Sequence, residues 1–261
     1  DGDWNQRNNR CFMSSSTFES RIKVTELKKD KSKFQIYLSL KRIFDIFFSV
    51  IVLILLSPLF FLIAIGIKLD SKGPVFFSQQ RVGSKERCSQ GNLVYDLYTF
   101  SVYKFRTMHV NSSRDIHRQF FEAYIRNDHS TMKQLKKNGQ RDGASFKLDD
   151  DPRVTRFGKF LRKTSLDELP QFWNILKNDM SLVGPRPPIP YEVELYQEWH
   201  CERLQAKPGL TGLWQVEARS AVEFDDMVKL DIEYIRKRSF FMDMLIVVKT
   251  PFAVLSGKGA S

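Results

Sequence analysis

Polar and apolar positions divide the chain into blocks of unequal character. Residues 1–40 are polar and carry the charge run Lys28-Lys29-Asp30-Lys31, which reads as a loose arm with a short helix over 34–40. Residues 46–67 (IFFSVIVLILLSPLFFLIAIGI) hold no charge, and 17 of these 22 positions are Ile, Leu, Val or Phe. Wound as a helix, the run is about 33 Å long, enough for the hydrocarbon core of a bilayer. Each central apolar residue favours insertion by roughly 0.3–0.6 kcal/mol. A buried helix of a soluble core is the plain alternative, but such cores rarely need so long a stretch without a charge.

Two features argue against a straight span. Ser57-Pro58 falls mid-run, where proline removes a helix hydrogen bond and bends the axis. Both flanks are basic, with Lys28, Lys29, Lys31, Lys33, Lys41 and Arg42 before the run and Lys68, Lys72 and Arg81 after it. The positive-inside tendency draws both ends to the cytoplasmic side. A helix broken at Ser57 and Pro58, entering and leaving through one leaflet, satisfies both constraints with arms of about 15–18 Å. The expected organisation is a polar arm over 1–40, a re-entrant membrane helix over 41–72 and a cytoplasmic catalytic domain over 73–257. A Pro-kinked span is the alternative.

Beyond the apolar run the pattern is mixed. Residues 74–80 (PVFFSQQ) and 98–105 read as short strands, punctuated by Gly73 and Gly83. Residues 111–140 are charged and helix-prone, an exposed excursion or lid within 109–147, and 139–151 read as a loop. Helical spacing follows over 158–162 and 168–177, then a Pro-rich turn over 184–190 and further helices over 191–205 and 221–236. Residues 240–255 (FFMDMLIVVKTPFAVL) are apolar but short for a span, so they lie in the membrane interface or cap the core. The fold class expected is α+β: a small, mostly helical, membrane-associated domain with short strands.

Composition narrows this further. Hydrophobic residues make up 42% of the chain, which excludes global disorder. Lys and Arg exceed Asp and Glu by 11, a balance that suits nucleic acid, anionic lipid or phosphorylated substrates without choosing among them. Cys11, Cys88 and Cys201 show no paired spacing, which excludes a disulfide scaffold and a four-cysteine zinc site and fits reduced cytosolic thiols. His109, His117, His129 and His200 have no metal-ligand spacing. Trp173 and Trp214 read as packing or interface aromatics. Asp45, at the entry to the apolar run, is spaced to pair with Lys41 or Arg42.

The densest chemistry lies in 151–186, DPRVTRFGKFLRKTSLDELPQFWNILKNDMSLVGPR. Asp167 and Glu168 stand at a helix start with Arg153, Arg156, Arg162 and Lys163 upstream. Ser165-x-x-Glu168 is a capping-box pattern, and Asp167 could itself be an N-cap with Pro170 in the first turn, so helix capping is one reading. The other is catalytic. A helix N-terminus among guanidinium groups keeps carboxylates ionised and gathers phosphate oxygens. There an ionised Asp can attack phosphorus, and a neighbouring Glu can hold Mg²⁺ through hard oxygen ligation.

These residues resemble a known family. KRIFDIFFSV (41–50), the Ser57-Pro58 break, KLDSKGPVFFSQQRVG (68–83), KFRTM (104–108), the 151–187 block and KPGLTGLWQV (207–216) occur in the order found in the bacterial sugar transferases, the monotopic polyprenol-phosphate phosphoglycosyl transferases. The resemblance covers about 41–257. It implies a transferase of the bacterial inner membrane, its catalytic domain facing the cytoplasm, that moves a sugar-1-phosphate from a nucleotide diphosphate sugar to polyprenol phosphate and starts exopolysaccharide, lipopolysaccharide or capsule assembly. A uridine nucleotide is the donor type implied. Asp167 would attack the sugar-linked phosphate and expel the nucleoside monophosphate, and Glu168 would bind the Mg²⁺ cofactor. Arg162, Lys104, Arg106 and Arg186 would bind substrate phosphate. Nucleic acid is not an implied partner, and a homo-oligomer is left open.

The chain departs from the family after GLTGLWQV, where Glu217-Ala218-Arg219 replaces the usual Asn-Gly-Arg or Ser-Gly-Arg. Arg219 is retained and is taken as substrate-binding. Segments 84–103 and 109–147 are longer than the family minimum. The rival reading is a membrane-tethered basic lipid-binding or scaffold protein without catalysis, which leaves SLDELPQ, GPRP and KPGLTG unexplained.

Overall fold

The computed structural model describes residues 21–23, 31–89, 92–110, 119, 122–126, 128, 130–132, 153–218 and 223–255. Helix α1 (Lys31–Leu55) and helix α2 (Ser57–Asp70) meet at Leu56 with a bend of 60°. The sequence accounts for the break. Pro58 sits in the first turn of α2, where its missing N–H costs nothing, and the Ser57 hydroxyl donates to the Ile54 carbonyl at 2.8 Å. No single helix among the described residues is long and apolar enough to cross a membrane, whereas the bent pair passes by length and composition. The segment 34–40 is no separate short helix of a loose arm; it is part of α1, which begins at Lys31.

The strands are longer than their alternation suggested. β2 (Phe76–Ser89) and β3 (Asn92–Phe105) form one antiparallel hairpin, in register from Phe76–Phe105 to Ser89–Asn92, and β1 (Arg21–Lys23) pairs with the other edge of β3. The extra length over 84–103 thus belongs to this hairpin, whose outer half runs from Ser84–Leu97 to Ser89–Asn92. That half was masked by Ser84, Lys85, Glu86 and Arg87 on β2, although Tyr95 and Leu97 on β3 alternate into the core.

The rest of the chain is short pieces closely joined. Helix α3 (Arg156–Lys163) leads into a 3₁₀ turn (Leu166–Glu168) and helix α4 (Gln171–Leu176), so the helix expected over 168–177 is present but starts later. Strand β4 (Ser181–Val183) pairs in parallel with β5 (Gly209–Thr211). Between them, the helix expected over 191–205 resolves into α5 (Pro190–Glu194) and a 3₁₀ segment (Glu198–Leu204). Helices α6 (Leu213–Glu217), α7 (Phe224–Lys237) and α8 (Phe240–Leu255) complete the domain.

One core cluster joins Val82 and Leu97 of the hairpin to Val193, Tyr196, Trp214 and Phe224. Tyr124 and Ile125 are buried in that cluster, so this part of the charged excursion is packed inside rather than exposed. A second cluster gathers Phe172, Ile175, Leu182, Tyr234 and Ile246 under α1. Helix α8 caps the core with one face and leaves an apolar face outward. Ile246 is buried in the core, while Phe241, Val248 and Phe252 face outward. Cys201 is disulfide-bonded, contrary to the expectation of reduced thiols.

Asp45 does not pair as its spacing suggested. It is buried and accepts the Leu182 backbone N–H at 3.1 Å. Arg42 instead donates to the Ile175 and Leu176 carbonyls at the end of α4, and Lys41 pairs with Asp243 of α8 at 2.7 Å.

Candidate active site

The site is assembled where the end of β3, the turn after α3 and the Pro-rich loop after β4 converge. Thr155 caps α3, its hydroxyl accepting the Gly158 N–H at 3.0 Å. Its own N–H donates to the Thr107 carbonyl at 3.0 Å, and the His109 N–H donates to the Arg153 carbonyl at 2.9 Å. The KFRTM segment and the start of α3 are thereby stitched together. Arg162, in the last turn of α3, donates from Nε to Thr107 Oγ1 at 3.0 Å.

After α3 the chain turns sharply. Ser165 adopts φ 56°, ψ 16°, the left-handed region that costs a non-glycine residue of order 1–2 kcal/mol. Its side chain makes no capping bond, and its N–H donates to the Arg162 carbonyl. Helix α4 likewise starts from Pro170 without a side-chain cap. The capping reading of the two acids is therefore not what the structure adopts. Asp167 lies inside the 3₁₀ turn and is only 9% exposed. Glu168 accepts a hydrogen bond from Lys104 Nζ at 2.5 Å and lies 3.9 Å from Arg186 Nη1.

Arg186 belongs to a loop with few donors of its own, because Pro185, Pro187 and Pro188 lack an N–H. The loop is held through its carbonyls. Gly209 N–H donates to Pro185, Arg203 Nη2 to Arg186, Arg81 Nη1 to Pro187 and Val82 N–H to Pro188. Arg203 also bonds Asp231 at 2.6 Å and Tyr196 at 3.0 Å. Burial lowers the Arg81 guanidinium to about 10, with Glu192 the strongest opposing influence. Burial likewise pushes the Glu192 carboxyl up, against the pull of Arg81, Arg203 and Arg186.

A family model described as bacterial sugar transferase matches residues 36–257. The chain belongs to the bacterial sugar transferase family. It is 41% identical over 225 residues to the galactosyl transferase CpsE of Streptococcus agalactiae, covering 86% of this chain and 44% of that protein. It is also 41% identical over 234 residues to the undecaprenyl-phosphate galactose phosphotransferase of Salmonella typhimurium, covering 90% and 43%. With the exopolysaccharide production protein ExoY of Sinorhizobium fredii it shares 38% identity over 220 residues, covering 84% and 87%. The chain thus spans less than half the length of the first two relatives and most of the third.

In this bacterial sugar transferase, Lys104 and Arg186 are brought to Glu168, and Arg162 ends the helix that delivers Asp167. Arg106 is placed differently. It is buried, and its guanidinium is spent on the Ser71 and Lys72 carbonyls at 2.7 and 2.5 Å, so it fastens the end of α2 instead of facing a substrate. Arg219 lies outside the described residues. Thr107, Arg81, Glu192 and Arg203 are site-supporting residues the sequence reading passed over. Arg81 stands in the flank of the apolar run and in the 68–83 motif without an assigned role, and the signal for Glu192 is an acid set between the apolar Tyr191 and Val193 in IPYEVELY.

Among the described residues, no three His, Cys, Asp or Glu side chains gather into a ready-made metal cage. Mg²⁺ seldom needs one. It takes one or two carboxylates and completes its shell with water and substrate phosphates. The adjacent Asp167 and Glu168 supply that donor type, so the residues present fit the ion.

Proposed function

We propose that this sugar transferase moves a sugar-1-phosphate from a UDP-sugar to polyprenol phosphate through a covalent phosphosugar on Asp167. The observation that carries the reading is the buried Asp167 beside a Glu168 that Lys104 and Arg186 already surround with positive charge. An Asp carboxylate oxygen attacks the sugar-bearing phosphorus. The bond from that phosphorus to the bridging oxygen breaks, and UMP leaves with the electron pair. A polyprenol phosphate oxygen then attacks the same phosphorus, the Asp167 carboxylate departs, and polyprenol-diphosphate-sugar is released. Such transfers depend on positioning and on neutralised oxygens more than on proton movement. Lys104, Arg162 and Arg186 would draw the diphosphate into line with Asp167. Mg²⁺ held by Glu168 would supply Lewis-acid stabilisation of the diphosphate charge.

The membrane arrangement follows the same reading. Phe47, Ile54 and Leu55 of α1 and Phe61 and Leu62 of α2 are exposed, as are Phe241, Val248 and Phe252 of α8. Phe44 and Phe240 meet edge to face at 5.9 Å, which sets α8 beside α1. This is the surface of a re-entrant anchor with an accompanying interfacial helix, seated in the inner membrane with the catalytic domain on the cytoplasmic side.

The test is nucleotide release. Protein in nanodiscs with Mg²⁺, a short polyprenol phosphate and a panel of UDP-sugars should release UMP with one donor, naming the sugar. Asp167→Asn should lower that rate by at least about a thousandfold. Release of UDP would mean ordinary glycosyl transfer and overturn the mechanism.

A further inference from the structure

We infer that Lys104 keeps the Glu168 carboxylate closed to free divalent cations and yields it only when the donor's diphosphate arrives. The inference rests on the reading of Glu168 as the metal ligand.

The Lys104 ammonium occupies Glu168 Oε1, the kind of hard oxygen a metal would take, and Arg186 stands 3.9 Å from the same atom. Both partners of the Lys104 pair are three-quarters buried, with side-chain exposures of 22% and 24%, so solvent screens them poorly. Arg81 lies close enough to be influenced by Glu168. A bare dication therefore has to displace one cation and stand among others. A nucleotide diphosphate changes that balance by bringing its own negative charge. It offers the lysine better acceptors and supplies the remaining oxygen ligands for the metal.

The two cations beside Glu168 differ in how readily they can move. Arg186 is planted in a loop whose carbonyls are pinned from several directions. Lys104 is a compact charge on a flexible stem at the last turn-free residues of β3, opposite Phe77. It can leave Glu168 for a phosphate oxygen without the backbone moving. Metal and donor would then enter as one complex, and neither would hold the site well alone. A purely structural ion pair would give no such coupling.

Mn²⁺ serves as the probe, its free concentration read by electron paramagnetic resonance with the full chain in nanodiscs. Without nucleotide, the wild type should bind Mn²⁺ weakly. Lys104→Met and Lys104→Gln should each bind at least about tenfold more tightly, a coupling of ordinary size. Adding UDP should tighten the wild type by a similar factor and the two variants much less. Two isosteric replacements guard against a single misfolded variant, and thermal unfolding of each checks folding. If both bind Mn²⁺ as weakly as the wild type, Lys104 is no gate and the inference falls. The double variant Lys104→Met with Glu168→Gln separates the two readings. Loss of the gained affinity keeps the metal on Glu168, whereas retention of it removes the metal assignment and the inference with it.

Discussion

Ser165 is the residue on which the position of Asp167 turns. Its left-handed backbone lets the chain leave α3 and place Asp167 in the 3₁₀ turn two residues later. Glycine adopts this conformation freely, and a β-branched side chain adopts it worst. Ser165→Gly should therefore match or exceed wild-type stability, by up to about 1 kcal/mol, while Ser165→Val should lose about 1–2 kcal/mol. Denaturant midpoints in detergent would check both, and equal midpoints for the two variants would show that the turn stores no strain. UMP release should fall further in Ser165→Val than its stability explains. Asp167, Glu168 and Arg162 were legible because charges recur at short spacing within one motif block, whereas Lys104 and Arg186 were named only through the resemblance in KFRTM and GPRP. The fate of Arg106 was not legible. It stands two residues from Lys104, yet its partners are carbonyls of residues 71 and 72, and no side-chain pattern records which arginine backbone oxygens will claim.

At the scale of elements, periodicity located helices better than it measured them. The helix expected over 240–255 matches α8, because a continuous apolar stretch leaves little choice. The β2–β3 hairpin was read at less than its length because its outer half alternates on only one strand. The helix expected over 168–177 starts only at Gln171, because Pro170 can start a helix but not continue one. Two of the glycines at close contacts between elements differ in what a side chain would meet. A Cβ on Gly158 would collide with the Thr107 backbone carbonyl, whereas one on Gly66 would meet the Phe157 ring at 2.6 Å. A ring edge can tilt, and a carbonyl already bonded to Thr155 N–H cannot easily move. Gly158→Ala should destabilise by about 1–3 kcal/mol, the usual cost of overpacking, and Gly66→Ala by clearly less. Because Thr107 also receives Arg162, Gly158→Ala should raise KM for the nucleotide sugar as well. Equal stability losses in the two variants would show that the carbonyl at Thr107 gives way as readily as the ring.

For the whole molecule, the decisive relation is between the bent helix pair α1–α2 and the domain that carries the site. The first arm is tied to that domain before it turns apolar. Lys41 pairs with Asp243, which also accepts from Tyr37 and Tyr234, and Arg42 and Asp45 bond the backbone around α4 and β4. The second arm is tied to the same domain where it ends, by Arg106 on Ser71 and Lys72 and by Asp70 accepting the Phe157 N–H at 3.2 Å. From Ile46 to Leu55 the first arm rises only about 15 Å, and the second about 21 Å, neither enough for a core of about 30 Å. Both ends should therefore lie on one side of the membrane, the side that holds Asp167. Single cysteines at Gln35, Lys72 and Lys163, in a background whose native cysteines are replaced by serine and which retains activity, would report this through a membrane-impermeant maleimide. All three should label in inside-out vesicles and none in intact spheroplasts. A straight span would instead separate Gln35 from Lys72 between the two preparations. The bend of 60° would then be a kink within a crossing helix, and one of the two sets of ties to the domain would have to open.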